Sequence, residues 1–284
     1  MPEPRTRRLS VANDEFQLAA SLLTNRRQRT RQRRFVVQGV RGISAAVEQG
    51  WPIESLWYPA GKRLSDWARA LLDGKVAGIH YEVDPALLAQ LSEKENSAEL
   101  VAIAEIPPDD LDRVPLDDNA LILAFDRPTG PGNLGSVMRS AQALGAHGLV
   151  ITGHAVDVYE PQTVRASVGA LFALPVVRAG SMEQVHAWLA RVRDDRPRLH
   201  VIGTSAKGDT GIAAVDFTRP SVVAIGNETR GLSVAWRELC DDLAVIPMAF
   251  ETTSLNVAAA AAIVLYECSR QRAAGVPKPP GERA

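Results

Sequence analysis

Short apolar runs alternate with longer stretches of helical period along most of the chain, which is the pattern of an α/β fold. In the front half, 35–37, 53–58, 79–83 and 100–106 read as strands. Helices fall between them: one at 43–48 that Gly50 stops, one capped by Ser65 through Trp67, Leu71 and Leu72, and one at 85–91 with proline in its first turn. Upstream, Asn13 is placed to cap a helix through Glu15, Phe16, Leu18 and Leu22 that runs into the arginines of 26–34. The stretch 107–119 is proline-rich, acidic and without periodic apolar positions, and reads as a linker. Beyond it, strands are expected at 121–125, 148–151, 174–178, 199–203, 221–225 and 243–246, with helices at 134–144, 161–171, 181–192, 234–240 and 256–271. Several of these strands are unbroken apolar runs, which predicts a mostly parallel sheet covered on both faces. The expected organisation is a basic N-terminal arm (1–34), a small α/β domain (35–106), a linker (107–119), a larger α/β domain (120–274) and a flexible tail (275–284).

Composition narrows the class. With 284 residues, 46% apolar and 23% charged, the chain has the length of about two ordinary domains. Cys240 and Cys268 are too few for a zinc site and fit a reducing compartment. The charged N-terminus has no apolar segment behind it, so no secretory signal is read. The longest uncharged apolar run, 255–266, is well short of the roughly 20 residues of a membrane span. The reading is a soluble cytoplasmic protein that meets no membrane. Charge is uneven: residues 1–41 carry ten arginines against three acids, a net of +7, so with a chain total of −1 the rest carries −8. A basic arm on an acidic body suits a polyanionic partner, and equally a solvated leader.

Three loops could carry chemistry. The first runs from Phe125 to Arg139. Its Gly130, Gly132 and Gly135 formally match the dinucleotide-binding spacing, yet Asp126 to Thr129 separate them from the strand, and no acid closes the next strand at Ile151-Thr152-Gly153-His154. Asn133 stands where a helix N-cap belongs, with Arg139 six residues on. The second, Gly226-Asn227-Glu228-Thr229-Arg230-Gly231 after an apolar strand, describes a sharp turn that presents amides and a carboxylate. The third runs from Ile246-Pro247-Met248 through Thr252, Thr253 and Ser254, all ordinary helix starters, to Leu255-Asn256-Val257. From 255 to 266 the chain is apolar on every face except at Asn256, so one sheet cannot bury it all. The helix is either threaded through the core or packed on a second subunit.

Together these loops resemble the signature motifs of the SpoU-type (TrmH-like) RNA ribose methyltransferases of the SPOUT superfamily. Asn133 and Arg139 match the first motif; Gly226, Glu228 and Gly231 the second; Ile246, Pro247, Met248, Ser254, Leu255, Asn256 and Val257 the third. The front half resembles the family's L30e-like substrate domain through Phe35-Val36-Val37-Gln38-Gly39-Val40-Arg41, where Gln38 replaces the usual Glu. The arginine-rich leader is similar to the actinobacterial branch that methylates ribosomal RNA against avilamycin- and thiostrepton-type antibiotics. The resemblance implies a C-terminal SPOUT α/β domain with a deep trefoil knot and an N-terminal L30e-like α/β domain. It also implies a homodimer built on the last helix, S-adenosylmethionine held near Thr204, Gly226, Ile246 and Leu255, and an RNA substrate, ribosomal before transfer RNA. Arg26, Arg27, Arg29, Arg31, Arg33, Arg34 and Arg41 are the expected RNA contacts.

The implied catalytic set is Asn133, Arg139, Glu228, Ser254 and Asn256. A guanidinium stays protonated and has no acceptor, so Arg139 is read as a clamp on phosphate and developing alkoxide rather than a base. Asn133 would orient Arg139 or the ribose, Glu228 would orient Arg139 or its loop, and Ser254 and Asn256 would position the nucleotide. No Cys-x-x-Cys, His-Glu-x-x-His or Gly-x-Ser-x-Gly motif occurs, so no metal is expected and acyl-enzyme chemistry is disfavoured. A nicotinamide oxidoreductase would rest on the three glycines of the first loop and leaves the other two loops without a role. A non-catalytic RNA-binding protein leaves Asn133, Arg139 and Glu228 unexplained.

Overall fold

The computed structural model describes residues 3–92, 98–249 and 254–275; Thr252, Thr253 and the tail past Gly275 lie outside them. The chain forms two units, Met1–Pro108 with Asp157–Ala173, and Asp109–Val156 with Leu174–Ala284.

The first unit contains β1 (Arg5–Leu9), α1 (Asp14–Thr24), α2 (Arg26–Gln32), β2 (Arg34–Gln38), α3 (Val40–Glu48), β3 (Ile53–Pro59), α4 (Asp66–Asp73), β4 (Ala77–Val83), α5 (Pro85–Gln90) and β5 (Val101–Glu105). Its sheet has the order β1-β4-β3-β5-β2, with β5 antiparallel to both neighbours and the other pairs parallel. Residues 5–34 are therefore built into this unit and are not a separate arm. β1 pairs with β4 through main-chain groups, leaving its arginines in water and only Leu9 buried. Asn13 caps α1 by accepting the Phe16 amide at 3.0 Å, and the stripe Phe16, Ala19, Leu22 packs into the core beside Trp57, Tyr81 and Leu88. Asn25 ends α1 and caps α2, so the arginine run is a helix of its own.

Next along the chain come β6 (Leu121–Asp126), α6 (Pro131–Ala143), β7 (Gly148–Thr152), α7 (Pro161–Ser167), α8 (Ala170–Ala173), β8 (Val176–Arg178), α9 (Met182–Asp195), β9 (His200–Thr204), β10 (Thr210–Gly211), β11 (Ser221–Ile225), α10 (Val234–Leu239), β12 (Asp242–Val245) and α11 (Val257–Gly275). The second unit's sheet, β10-β12-β9-β11-β6-β7-β8, is parallel throughout. Ile122, Ala124, Val150, Val201, Val222 and Ala224 meet Val185, Trp188 and Leu189 of α9 and Trp236 of α10 in one core. α6 and α11 pack on each other, burying Leu134, Val137, Met138, Ala261, Val264 and Leu265.

Two boundaries differ from expectation. The 107–119 segment is built into the second unit from Asp109 onward: Val114 enters its core, and Asp109 accepts Arg178 Nη2 at 2.6 Å. The helix expected over 161–171 is two helices broken at Val168 and Gly169, both with positive φ. A Cβ at Gly169 would lie 2.8 Å from Ala45 Cβ, so glycine permits the close approach of α8 to α3. With Trp51 Nε1 donating to Phe172 O at 2.9 Å and Phe35 packed on Tyr159 and Phe172, residues 157–173 complete the first unit rather than the second. Among the described residues no helix is long and apolar enough to cross a membrane.

Candidate functional site

In an open parallel sheet, ligands bind beyond the carboxyl ends of the strands, where the strand order reverses. Here the chain builds β6, β7 and β8 outward, then returns to place β9, β11 and β12 on the other side of β6. The loops after β9, β11 and β12 enclose a cavity of about 320 Å³. Ile225, Ala244, Ile246, Leu255 and Val257 give it an apolar lining, and Thr204, Ser205, Asn227, Glu228 and Ser254 a polar one. All four residues expected to hold S-adenosylmethionine, Thr204, Gly226, Ile246 and Leu255, line this one cavity.

The turn after β11 is closed tightly. Asn227 and Gly231 exchange main-chain hydrogen bonds at 3.1 and 2.9 Å. A Cβ on Gly226 would lie 2.3 Å from the Gly231 carbonyl carbon, so a side chain there would fill the space that keeps the turn folded. Asn227 Oδ1 accepts the amides of Thr229 and Arg230, and Gly231 adopts φ +65°, a conformation that favours glycine. The result is a fixed backbone cradle whose wall is mixed apolar and polar. That lining fits the adenosine and amino-acid ends of S-adenosylmethionine.

From this turn the Glu228 carboxylate reaches the N-terminus of α6. It accepts Thr129 Oγ1 at 2.9 Å, the Thr129 and Gly130 amides at 3.3 Å, and Asn133 Nδ2 at 3.3 Å. A carboxylate there satisfies free amides and faces the positive end of the helix dipole. Burial pushes the Glu228 carboxyl up, but these hydrogen bonds and that of its own amide outweigh it and hold the group below its usual range. Asn133 Oδ1 in turn accepts Asn256 Nδ2 at 3.1 Å. Asn256, rather than Ser254, caps α11, with its Oδ1 on the Ala258 amide at 2.9 Å. The structure thus joins Glu228, Asn133 and Asn256 in one chain, and places Ser254 on the adjoining cavity wall.

Other expected residues fall differently. Asn133 is not the cap of α6, because Pro131 takes the first position and Gly130 the cap. Arg139 lies six residues further along, about 9 Å down the helix axis and a third of a turn around it. It is exposed and without a hydrogen bond or ion pair among the described residues, so neither Asn133 nor Glu228 orients it. Arg29 is 3% exposed; its Nε donates to Asp157 Oδ2 at 2.8 Å and its Nη1 to Leu22 O at 2.7 Å. It cannot reach a phosphate. Arg34 pairs with Glu54 at 2.9 Å, and Arg33 donates to Ile106 O at 3.0 Å. Arg26, Arg27, Arg31 and Arg41 are exposed. Neither cysteine is poised as a nucleophile, since burial pushes both thiols up to about 12.

The sequence reading passed over Asp126 and Arg127, which brace the turn after β11. The available signal was an acid ending an apolar strand with arginine directly after it.

Comparison with known proteins adds the following. Residues 120–266 match the model of the SpoU rRNA Methylase family, and residues 13–102 that of the SpoU L30e-like domain. The chain is 50% identical over 273 residues, 96% of it and 95% of the relative, to a 23S rRNA (uridine(2479)-2′-O)-methyltransferase of Streptomyces viridochromogenes. The crystal structure of the SpoU methyltransferase AviRb from that organism, in complex with the cofactor AdoMet, superposes with a TM-score of 0.88 at 49% identity, covering 93% of this chain and all of that one. An RNA 2′-O ribose methyltransferase structure gives a TM-score of 0.75 at 34% identity, covering 94% of this chain and all of that one.

Proposed function

From the premise that the chain belongs to the SpoU rRNA methylase family, we propose that it transfers the methyl group of S-adenosylmethionine to a uridine ribose 2′-hydroxyl of large-subunit ribosomal RNA. The observation that carries this reading is the meeting of Thr204, Gly226, Ile246 and Leu255 in one cavity, with Glu228 leading from its wall to Asn133 and Asn256. The relative that methylates 23S rRNA covers nearly the whole chain, which favours ribosomal over transfer RNA. The enzyme works in the cytoplasm, and its product reduces sensitivity to an antibiotic that binds the large subunit.

When bound, S-adenosylmethionine supplies an electrophilic methyl group on a sulfonium. The chain supplies alignment, since transfer needs the attacking oxygen held in line at near-attack distance. Ser254 and Asn256 hold the nucleotide beside the cavity, and Asn133, fixed between Glu228 and Asn256, faces the ribose. Arg139 donates to the phosphate and to the oxygen as negative charge develops there; having no acceptor, it does not take the hydroxyl proton, which is released to solvent.

The protein acts as a homodimer through α11, supported by the apolar Ile263 and Tyr266 left exposed on that helix. The C-terminus passes through a trefoil knot. In support, the chain leaving β12 lines the same cavity as the Gly226–Gly231 turn before α11 returns along α6, where Arg272 binds the carbonyls of Ala120, Phe217 and Arg219.

The test is transfer of radiolabelled methyl from S-adenosylmethionine to 23S rRNA or to transfer RNA, with the site mapped by primer extension at low nucleotide concentration. A single 2′-O-methyl stop in 23S rRNA is expected. Label on transfer RNA alone, or on a base, overturns the proposal.

A further inference from the structure

Asp126 and Arg127 close β6 beside the cavity without lining it, and nothing in the proposed chemistry uses them. Asp126 is 2% exposed. Its Oδ2 accepts Arg127 Nε at 3.1 Å, Arg127 Nη2 at 3.0 Å and the Ser233 amide at 2.8 Å. Its Oδ1 accepts Thr152 Oγ1 at 3.3 Å, and that hydroxyl accepts Trp236 Nε1 at 2.9 Å. This carboxylate is satisfied on both oxygens, so it serves as a fixed anchor rather than as an acid or base.

Arg127 carries the anchor to the turn after β11. Its backbone sits at φ 54°, a costly conformation for a residue other than glycine. That conformation lets its amide donate to Thr152 O at 2.9 Å while its carbonyl accepts Asn227 Nδ2 at 2.7 Å. Its Nη2 also donates to Gly231 O at 2.9 Å. One residue thus grips both limbs of the turn, Asn227 at the start and Gly231 at the end. Gly153 makes room for the stem, since a Cβ there would lie 2.6 Å from Arg127 Cγ.

We propose that Arg127, anchored by Asp126, is a positioning residue that sets the Gly226–Gly231 turn and with it the affinity of the cofactor cavity. The inference rests on the reading of that cavity as the S-adenosylmethionine site. A planar guanidinium donates to a carboxylate and a carbonyl at once, in a geometry that an ammonium does not reproduce. The strain at φ 54° persists because contacts on every side hold it. Because the grip shapes the cradle before either substrate reacts, its loss weakens binding uniformly rather than slowing chemistry.

The test is Arg127→Lys in the full-length protein. S-adenosylmethionine affinity is measured by titration calorimetry, with the KM of each substrate, kcat and the melting temperature without ligand measured beside it. The expected result is a tenfold or greater rise in Kd and KM for S-adenosylmethionine, with kcat at saturation and the KM for RNA within twofold of wild type. A merely structural role would lower kcat and the melting temperature and raise both KM values together, and would overturn the proposal. So would an unchanged Kd. If Arg127→Lys does not fold, Asp126→Asn, which keeps the shape of the anchor but removes the charge that holds the Arg127 guanidinium and touches no residue lining the cavity, decides: a rise in cofactor KM alone supports the proposal, and no rise overturns it. Wild-type protein that binds no S-adenosylmethionine would instead refute the reading of the cavity itself.

Discussion

Glu228 and Asn133, 95 residues apart in sequence, meet at 3.3 Å at the N-terminus of α6. The glutamate belongs to the turn that lines the cavity. The asparagine belongs to the helix carrying Arg139. Their hydrogen bond therefore joins the wall of the cavity to the helix that carries Arg139, and the Asn133–Asn256 bond extends the join to the start of α11.

Replacing Glu228 by glutamine tests that join. The amide keeps the shape but presents a neutral group, and one of its ends is a donor, to the Thr129 and Gly130 amides. Methyl transfer should fall, and the melting temperature should drop at neutral pH. The folded carboxyl lies below its ordinary value of 4.5, so the folded state binds fewer protons than the unfolded one and the charge stabilises the fold above that pH. The wild type's advantage over Glu228→Gln should therefore be full above 4.5 and vanish as pH falls through the lowered folded value. A constant difference across that range in thermal melts would contradict the assignment.

Arg139 is exposed, so its loss should leave the fold intact. Arg139→Ala and Arg139→Lys should each lower kcat by on the order of 10²–10³, the range for removing one donor to developing oxyanion charge. Cofactor affinity should stay near wild type, because Arg139 is not among the residues lining the cavity. Lysine fails because it keeps the charge and loses the fork. Single-turnover methylation together with cofactor titration separates the two effects, and near-normal turnover in either variant refutes the role.

The arginines of the first unit divide into two groups with opposite expected outcomes. Arg26, Arg27, Arg31 and Arg41 are exposed, and changing all four to alanine should flatten the salt dependence of RNA binding by roughly 0.7–0.9 in slope per lost phosphate contact. Cofactor affinity should not change. Arg29→Ala leaves Asp157 buried without its cation, and the expected loss is about 3–5 kcal/mol of stability, read as a lower melting temperature rather than a changed salt slope. An unchanged slope in the fourfold variant would make this surface a bystander.

Much of this was legible along the chain, for physical reasons. Strands such as β11 are unbroken apolar runs, and caps such as Asn13 and Ser65 act within three residues, so sequence alone locates them. β1 was not legible, because Arg5–Leu9 has no apolar alternation and pairs by main-chain groups with only Leu9 inside. The fate of Arg29 depends on Asp157, 128 residues away, and no local pattern announces such a partner. The cavity residues were found through motif resemblance. The brace from Arg127 to Gly231 spans 104 residues and was invisible to it.

The circumference of α11 supplies the last prediction. One face is closed by its own unit: Ala261, Val264, Leu265 and Cys268 have no exposed surface. The opposite face carries Ala259, Ile263, Tyr266 and Arg270, whose spacing of four, three and four places them on one stripe. Ile263 is 39% and Tyr266 60% exposed. Large apolar side chains gathered on one stripe favour association over solvent exposure. In a two-fold dimer each such residue meets the partner's matching patch, so one change is counted twice. The double variant Ile263→Arg, Tyr266→Glu should therefore sediment as a monomer at micromolar concentration where the wild type sediments as a dimer. Since these side chains touch little of their own unit, each variant chain should still unfold cooperatively. A wild type that is monomeric at micromolar concentration would refute the association, and a variant that stays dimeric would place it elsewhere; either leaves the apolar stripe of α11 without a partner.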